Sequence, residues 1–443
     1  MRKRAEANSF LSAGGRLFSS RLVQSAVALM ISSGGTALLG VVFWGVAAHV
    51  ATTADVGRSS AEITAMILLA SFAQLSFGTI FERFLPVAGT QTRRFVIRAY
   101  VMCVAFALVI TSFYAFSGLA GRFLPSSYAW RLLFILAVAF WTIFALQDSV
   151  LIGIRAAKWV PVENILFSIM KLALLTAMIA VWPRQGIFLA YSAPVILTLI
   201  AVNWYLFGKR IPEHERLVTP GETLPRAREL VFLAGAQYAT LLFTLLIPSI
   251  TTLVVIERLG ATINAYYYVP AVITSSLSTF LLSAFKSFVV EATSEPHRLR
   301  HHTNMTIVVM GIVLVPSILI GVIFAPFILR LFGAEYAAHS ITLLRMLLLS
   351  LPMGAVSIFY GAFAWLDRRV WWMTLRDLIS ALIYFGVVFL LIGRYGIISI
   401  GIASLVSSVL LGAFFLPISI RRYRLTTNFD APQADRPTIG PAT

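Results

Sequence analysis

The sequence predicts an all-α polytopic membrane protein with about twelve transmembrane helices, and three observations carry that reading. Hydrophobic residues make up 59% of the 443 and charged residues only 12%, where a soluble domain carries about 25% charge. The mean hydropathy is +0.87. The apolar residues gather into about a dozen stretches of roughly 20 residues or more, the length that carries an α-helix across a hydrocarbon core. The basic residues fall in alternate loops between those stretches.

In order, the stretches are 22–50, 60–84, 97–118, 130–154, 162–182, 186–207, 229–256, 264–290, 305–331, 338–365, 371–392 and 396–420. The first is too long for the core of a signal peptide and lacks a small-x-small cleavage site after it, so it reads as retained. Gly34, Gly35 and Gly40 interrupt it. Ahead of it Phe10, Leu11, Leu17 and Phe18 alternate with Arg16 and Arg21, either an interfacial helix or an ordinary basic flank. The second carries a small and polar stripe, Ser60, Thr64, Ser71, Gln74, Gly78 and Glu82. The third holds the single cysteine, Cys103, which excludes an intrachain disulfide and a cysteine metal site. Asp148 in the fourth, Glu163 in the fifth and Asp377 in the eleventh lie towards the ends expected to be cytoplasmic.

Prolines fall inside several later stretches: Pro194, Pro248, Pro270, Pro316, Pro326, Pro352 and Pro417. A proline frees a backbone carbonyl and bends its helix, but proline is frequent in static membrane helices too. Trp44, Trp130, Trp182, Trp204, Trp365, Trp371 and Trp372 lie near stretch ends and read as an anchoring aromatic belt.

The net charge of +17, from 35 Lys and Arg against 18 Asp and Glu, is explained mostly by the positive-inside rule rather than by nucleic acid. With the N-terminus cytoplasmic, most cations lie in cytoplasmic segments. Arg58, Arg122, Arg131, Arg184, Arg258, Arg330 and Arg394 fall on the other side. Both termini are then expected in the cytoplasm of a bacterial cell, with the chain in its inner membrane.

The longest internal hydrophilic stretch, 208–228, holds Pro212, Pro220 and Pro225 and divides the spans six and six. This gives a basic segment 1–21, an N-lobe 22–207, a linker 208–228, a C-lobe 229–420 and a tail 421–443. The tail has the composition of disorder. Thr53-Ala54-Asp55-Val56-Gly57 is echoed 209 residues on by Thr262-Ile263-Asn264-Ala265-Tyr266, and Glu82 meets Glu291 at the same offset. Both halves start on the same side, so the repeat is parallel.

The loops expected on the outer side are short, and the sequence shows no paired-carboxylate site, nucleophile elbow, phosphate-cradling glycine loop or metal cluster. No cofactor is expected and the chain does not read as an enzyme. Charges inside spans are costly and mark function by default. Lys171, Lys286, Arg345 and Arg376 are the cations there. Lys171 lies roughly 14 Å into its span at 1.5 Å per residue, where snorkelling is hardest. Asn164, Ser168 and Lys171 share one helical face. That face borders either a wet cavity or a neighbouring helix, and Lys171 either serves a cavity or pairs with an acid. Ser276, Thr279, Ser283 and Lys286 form another stripe, which either packs closely or lines water. Together the cations suit an anionic substrate. The cavity candidates are Lys171, Arg345, Lys286, Arg83, Gln74, Asn164, Ser168 and Ser283.

The stretch from Ala51 to Gly57, with an Asp55-Val56-Gly57 turn, and the helix closing in Arg83-Phe84-Leu85-Pro86 resemble the polysaccharide-transport (Wzx-type) flippase family. That family belongs to the superfamily of multidrug, oligosaccharidyl-lipid and polysaccharide exporters. The resemblance implies two six-helix lobes around a central cavity. It implies movement of a polyprenyl-diphosphate-linked oligosaccharide between leaflets by alternating access, with cavity cations on the diphosphate or acidic sugars. Membrane lipids, and glycosyltransferases or a polymerase of the same pathway, would be the partners. The peptidoglycan-precursor branch usually has more spans and an early basic residue in its first helix, and this chain has neither. A cation-coupled small-molecule antiporter of the multidrug type and a non-transporting scaffold of envelope synthesis remain the alternatives.

Overall fold

The computed structural model describes residues 21–118, 120, 124–217, 245–294, 298–366 and 370–425, without the side chains of 21–34, 286, 290, 294, 365, 370, 371 and 425. The N-terminal basic segment up to residue 20, most of the 208–228 linker and the tail beyond 425 lie outside the described residues. The described residues contain no strand. Among them nine helices are long and apolar enough to cross a membrane, or ten when one bent pair counts as a span.

The helices are α1 (Arg21–Val50), α2 (Thr53–Ala73), α3 (Phe77–Phe84), α4 (Thr92–Phe116), α5 (Tyr128–Gly153), α6 (Trp159–Val181), α7 (Gly186–Tyr205) and α8 (Ile211–Leu217). After them come α9 (245–259), α10 (Ala261–Ser294), α11 (Leu299–Ile323), α12 (Ala325–Arg330), α13 (Ala334–Leu366), α14 (Val370–Tyr395) and α15 (Ile398–Leu425). With α2 and α3 as one bent span, and α12 as the end of the span begun by α11, they occupy the twelve expected positions.

Two helices differ from expectation. The Asp55-Val56-Gly57 segment is not a turn but the first turns of α2. Thr52, extended at φ −69°, accepts a hydrogen bond from the Asp55 amide at 3.2 Å, and its hydroxyl donates to Asp55 Oδ2 at 2.6 Å. A hydroxyl cap and an acid in the first turn satisfy the free amides and oppose the positive end of the helix dipole. In α1, Gly35 and Gly40 do not interrupt the helix, which runs unbroken to Val50. Apolar surroundings offer the backbone no partner outside the helix, so glycine is tolerated there.

The second span is broken. Leu75 (φ 49°) and Ser76 (φ 64°) are left-handed without being glycine, and α3 leaves α2 at 52°. Left-handed backbone costs a residue with a side chain about 1–2 kcal/mol, and such costs persist only where the surroundings hold them in place. After α7 a π-helical turn, Leu206–Arg210, leads into α8, so the start of the expected linker is helical. Glu215 accepts from the Arg93 amide at 2.9 Å, and His214 Nε2 bonds the Leu85 carbonyl at 2.9 Å. These contacts tie α8 to the corner after α3.

The helices sort into two lobes. In the first, α6 packs on α1 and α7, and α5 packs on α2, α3, α4 and α7. In the second, α13 packs on α10, α11, α12, α14 and α15. The lobes meet where α10 lies along α2 and α1. The meeting is closest at the N-terminal ends of α2 and α10, the two segments that echo one another in sequence. A Cβ built on Gly57 would lie 1.7 Å from the Ala261 carbonyl oxygen. Only glycine lets the backbones approach so closely.

Candidate functional site

A cavity of about 330 Å³ lies between the lobes. Its walls are Thr36, Ala37, Gly40 and Trp44 of α1, Trp141 and Phe144 of α5, Asn164, Phe167, Ser168 and Lys171 of α6, Tyr191 of α7, and Val272, Ser275, Ser276 and Thr279 of α10. The helical period places Asn164, Ser168 and Lys171 on this wall together. They are the residues of the α6 polar stripe.

Lys171 is 6% exposed, and among the described residues it has no ion-pair partner. Its ammonium stands instead over three rings: Tyr191 at 4.7 Å, Phe167 at 5.1 Å and Phe43 at 5.4 Å. The negative faces of aromatic rings attract a desolvated cation by about 2 kcal/mol or more. Those rings are held in turn by their neighbours. Trp141 stacks on Tyr191 at 5.3 Å and meets Phe167 edge-on at 5.7 Å. Phe43 packs against Trp44, and Trp44 reaches Tyr268 of the other lobe at 4.7 Å.

The opposite wall is hydroxylic. Ser275 and Ser276 each donate to the Val272 carbonyl and Thr279 donates to that of Ser275, which leaves hydroxyl lone pairs free to accept. Asn164 donates to Asp148 Oδ2 at 3.1 Å. No acidic residue lines the cavity, so Lys171 is the one formal charge on its described walls.

The other candidates lie elsewhere. Ser283 continues the α10 stripe beyond Thr279, to whose carbonyl it donates at 3.0 Å, and is not on the cavity wall. Gln74 sits at the break after α2, where its carbonyl accepts from the Cys103 thiol at 3.6 Å. Arg83 is exposed at the end of α3 and lies over Phe84. Arg345 is exposed and donates to the Val322 carbonyl at 3.0 Å. Lys286 is on α10, with its side chain outside those described. Arg376 is engaged by Asp377 and the Ser357 carbonyl.

One residue gains a role that sequence reasoning did not give it, and one acid proves deeply buried. Trp44, read as part of the aromatic belt, is 4% exposed and lines the cavity. Glu62, close to the start of the second stretch and so passed over, is 1% exposed within α2.

The lobes are bonded to one another at the end where α2 and α10 begin. Asn264 of α10 donates to the Gly57 carbonyl at 2.8 Å and to Ser60 Oγ at 3.0 Å. Glu335 of α13 accepts from Thr53 at 2.7 Å and from Tyr266 at 3.2 Å.

Similarity to solved structures covers nearly the whole chain. An inward-facing multidrug resistance MATE family transporter of the MOP superfamily aligns over 94% of this chain and 98% of its own, with a TM-score of 0.67 at 14% identity. The fold is that of the MOP-superfamily transporters. An outward-facing MATE transporter aligns over 93% of this chain and 98% of its own, with a TM-score of 0.62 at 14% identity. A MOP transporter from Pyrococcus furiosus Vc1 (DSM3638), described as having a binding pocket of reversed polarity that suggests a different function, gives the same coverage, TM-score and identity. No family model and no curated protein matches the chain. With nine or ten apolar helices long enough to cross a membrane among the described residues, this fold is that of a multi-pass membrane protein with two lobes.

Proposed function

We propose that the protein is an alternating-access flippase for an anionic lipid-linked oligosaccharide, moving a polyprenyl diphosphate with its sugars across the cytoplasmic membrane of a bacterium. The observation that carries this is the charge of the cavity: a buried, unpaired Lys171 with no acid on the described walls. A cation in a low-dielectric cavity attracts a diphosphate strongly, and a lysine ammonium is a compact phosphate ligand. The aromatic wall offers faces for sugar rings and the α10 wall offers hydroxyls. About 330 Å³ is at the small end for a ligand pocket. It would take the diphosphate head while the prenyl chain stays in lipid, since each CH₂ kept there is worth about 0.8 kcal/mol.

With the termini in the cytoplasm, the bonded end of the lobes faces outwards and the cavity receives cargo from the inner leaflet. Glycosyltransferases on the inner side and a polymerase on the outer would be its partners. The MATE neighbours support a small-molecule antiporter equally well; the cationic cavity favours the anionic cargo over a cationic drug.

The test is leaflet translocation of a fluorescent polyprenyl-diphosphate oligosaccharide in proteoliposomes. Wild-type protein should move it, Lys171→Ala should lose at least tenfold in rate at equal protein level, and Lys171→Arg should retain part. Normal translocation by Lys171→Ala would remove Lys171 from the mechanism. Extrusion of a cationic dye in place of the lipid would establish the antiporter.

A further inference from the structure

Arg345 lies outside the cavity, on a face of α13 that the rest of the second lobe leaves uncovered. Ala338, Thr342, Arg345 and Leu349 recur at the helical period and all four are exposed. Ile323 and Phe324, at the end of α11, are exposed as well. On a membrane-spanning helix such a face meets lipid, where an unpaired charge is costly.

The guanidinium is pinned at this depth. Val322 lies in the last turn of α11. In a continuous helix its carbonyl would take the amide of residue 326, but that residue is Pro326, which has none. Arg345 Nε supplies the missing donor at 3.0 Å. Arg345 follows Ala338, where the span is expected to begin, by seven residues, roughly 10 Å at 1.5 Å per residue. The bond to Val322 keeps the side chain from running straight out to water. It uses one of five guanidinium N–H groups, and among the described residues Arg345 makes no other hydrogen bond and no ion pair.

The neighbouring helices offer no anion. α11, α12 and α15 carry no acidic residue. Glu335, the one acid of α13, stands ten residues away, roughly 15 Å along the axis, and is bonded by Thr53 and Tyr266. Asp377 of α14 is bonded by Arg376. One turn further in, α11 and α13 are packed shut: a Cβ built on Gly321 would lie 2.6 Å from Leu348 Cδ1. The one polar group beside Arg345 on its own face is Thr342, whose hydroxyl makes no hydrogen bond among the described residues. Helical side chains lean towards the turn that precedes them, which brings the Arg345 fork over Thr342.

We propose that Arg345 and Thr342 bind the phosphate of a glycerophospholipid, whose acyl chains lie on Leu349, Ile323 and Phe324. A planar guanidinium fork suits two phosphate oxygens, and the hydroxyl serves a third. A phosphodiester brings the single negative charge that one guanidinium balances, whereas the diphosphate of a polyprenyl lipid brings more. The phosphate settles below the plane of the other headgroups, and the leaflet thins around it. With the termini in the cytoplasm this is the outer leaflet. The site is separate from the cavity and does not rest on the flippase reading.

The experiment measures binding of phosphatidylglycerol to purified full-length protein in detergent, by native mass spectrometry and by melting temperature. Diacylglycerol with the same chains, inorganic phosphate and polyprenyl diphosphate are the comparison probes. Wild-type protein should bind phosphatidylglycerol saturably and melt higher with it. Arg345→Met, which keeps an unbranched apolar stem, should weaken this binding at least fivefold while diacylglycerol binding stays unchanged. Thr342→Val should weaken it about twofold. Pro326→Ala returns an amide to Val322 and frees the guanidinium, and should weaken it about twofold with the charge intact. Equal phosphatidylglycerol affinity in wild type and Arg345→Met would overturn the proposal, as would an equal loss of diacylglycerol binding. Displacement of the lipid by millimolar inorganic phosphate would make this a site for free anions. Arg345-dependent binding of polyprenyl diphosphate without phosphatidylglycerol would assign it to cargo instead. No translocation is measured, so a negative result here removes the lipid site and not the flippase.

Discussion

Asn264 donates its side-chain amide to the Gly57 carbonyl at 2.8 Å, across the contact between the two lobes. Asn264 stands in the second half where Asp55 stands in the first, 209 residues apart. The repeated segments thus face each other, and the echo in sequence is the place where the lobes close. Gly57 permits the approach, since a side chain there would enter the Ala261 carbonyl. Gly57→Val should therefore hold this end open. Spin labels at Val50 and Arg258, in a Cys103→Ser background, should report a longer and broader separation than without the substitution. An unchanged distance would show that the backbones separate at no cost.

Glu335 joins three helices at the same end, taking hydrogen bonds from Thr53 of α2 and Tyr266 of α10. Both bonds reach water, so each is weak alone. Glu335→Ala should broaden the same distance distribution without moving its mean as far as Gly57→Val does. Tyr266 is also stacked on His339 at 4.6 Å, so Tyr266→Phe should have a smaller effect than Glu335→Ala.

Ser76 is held in a left-handed conformation at the break between α2 and α3. Glycine there removes about 1–2 kcal/mol of strain and returns about 0.5–1 kcal/mol to the unfolded chain as entropy. Ser76→Gly should raise thermal stability by the small difference, and Ser76→Val, β-branched at positive φ, should lower it. If Ser76→Val melts with wild-type protein, the break is not locked in this conformation.

These residues show what the sequence could disclose. The spans were legible because length and apolarity are summed over many residues. The α6 stripe was legible because Asn164, Ser168 and Lys171 repeat at the helical period. The break at 74–76 was not, since Gln74, Leu75 and Ser76 carry neither proline nor glycine; tertiary packing imposes it. Trp44 was misread because distance from a span end says nothing about which face a ring occupies. The turn expected at Asp55-Val56-Gly57 came with the family resemblance, whereas the segment is helical and Gly57 lets α10 come close. Glu163 and Asp148 were visible as acids near helix ends. Their bonds to Gln147 and Asn164 join α5 to α6, and those pairings follow no sequence spacing.

Lys171 separates stability from function. Its ammonium is buried with aromatic rings as its only described partners, and cation–π attraction of about 2 kcal/mol recovers part of a desolvation cost of several kcal/mol. Methionine has similar length and packs well on aromatic rings. Lys171→Met should therefore raise the melting temperature of the protein without cargo while abolishing translocation of the diphosphate-linked lipid. Tyr191→Leu removes the nearest ring and should do the opposite to the fold, lowering stability by about 0.5–2 kcal/mol in lost cation–π contact alone. Melting curves in nanodiscs, paired with translocation rates, check both. A Lys171→Met protein that melts lower than wild type would mean that the aromatic cage fully compensates the buried charge, and that Lys171 is there to hold the lobe together.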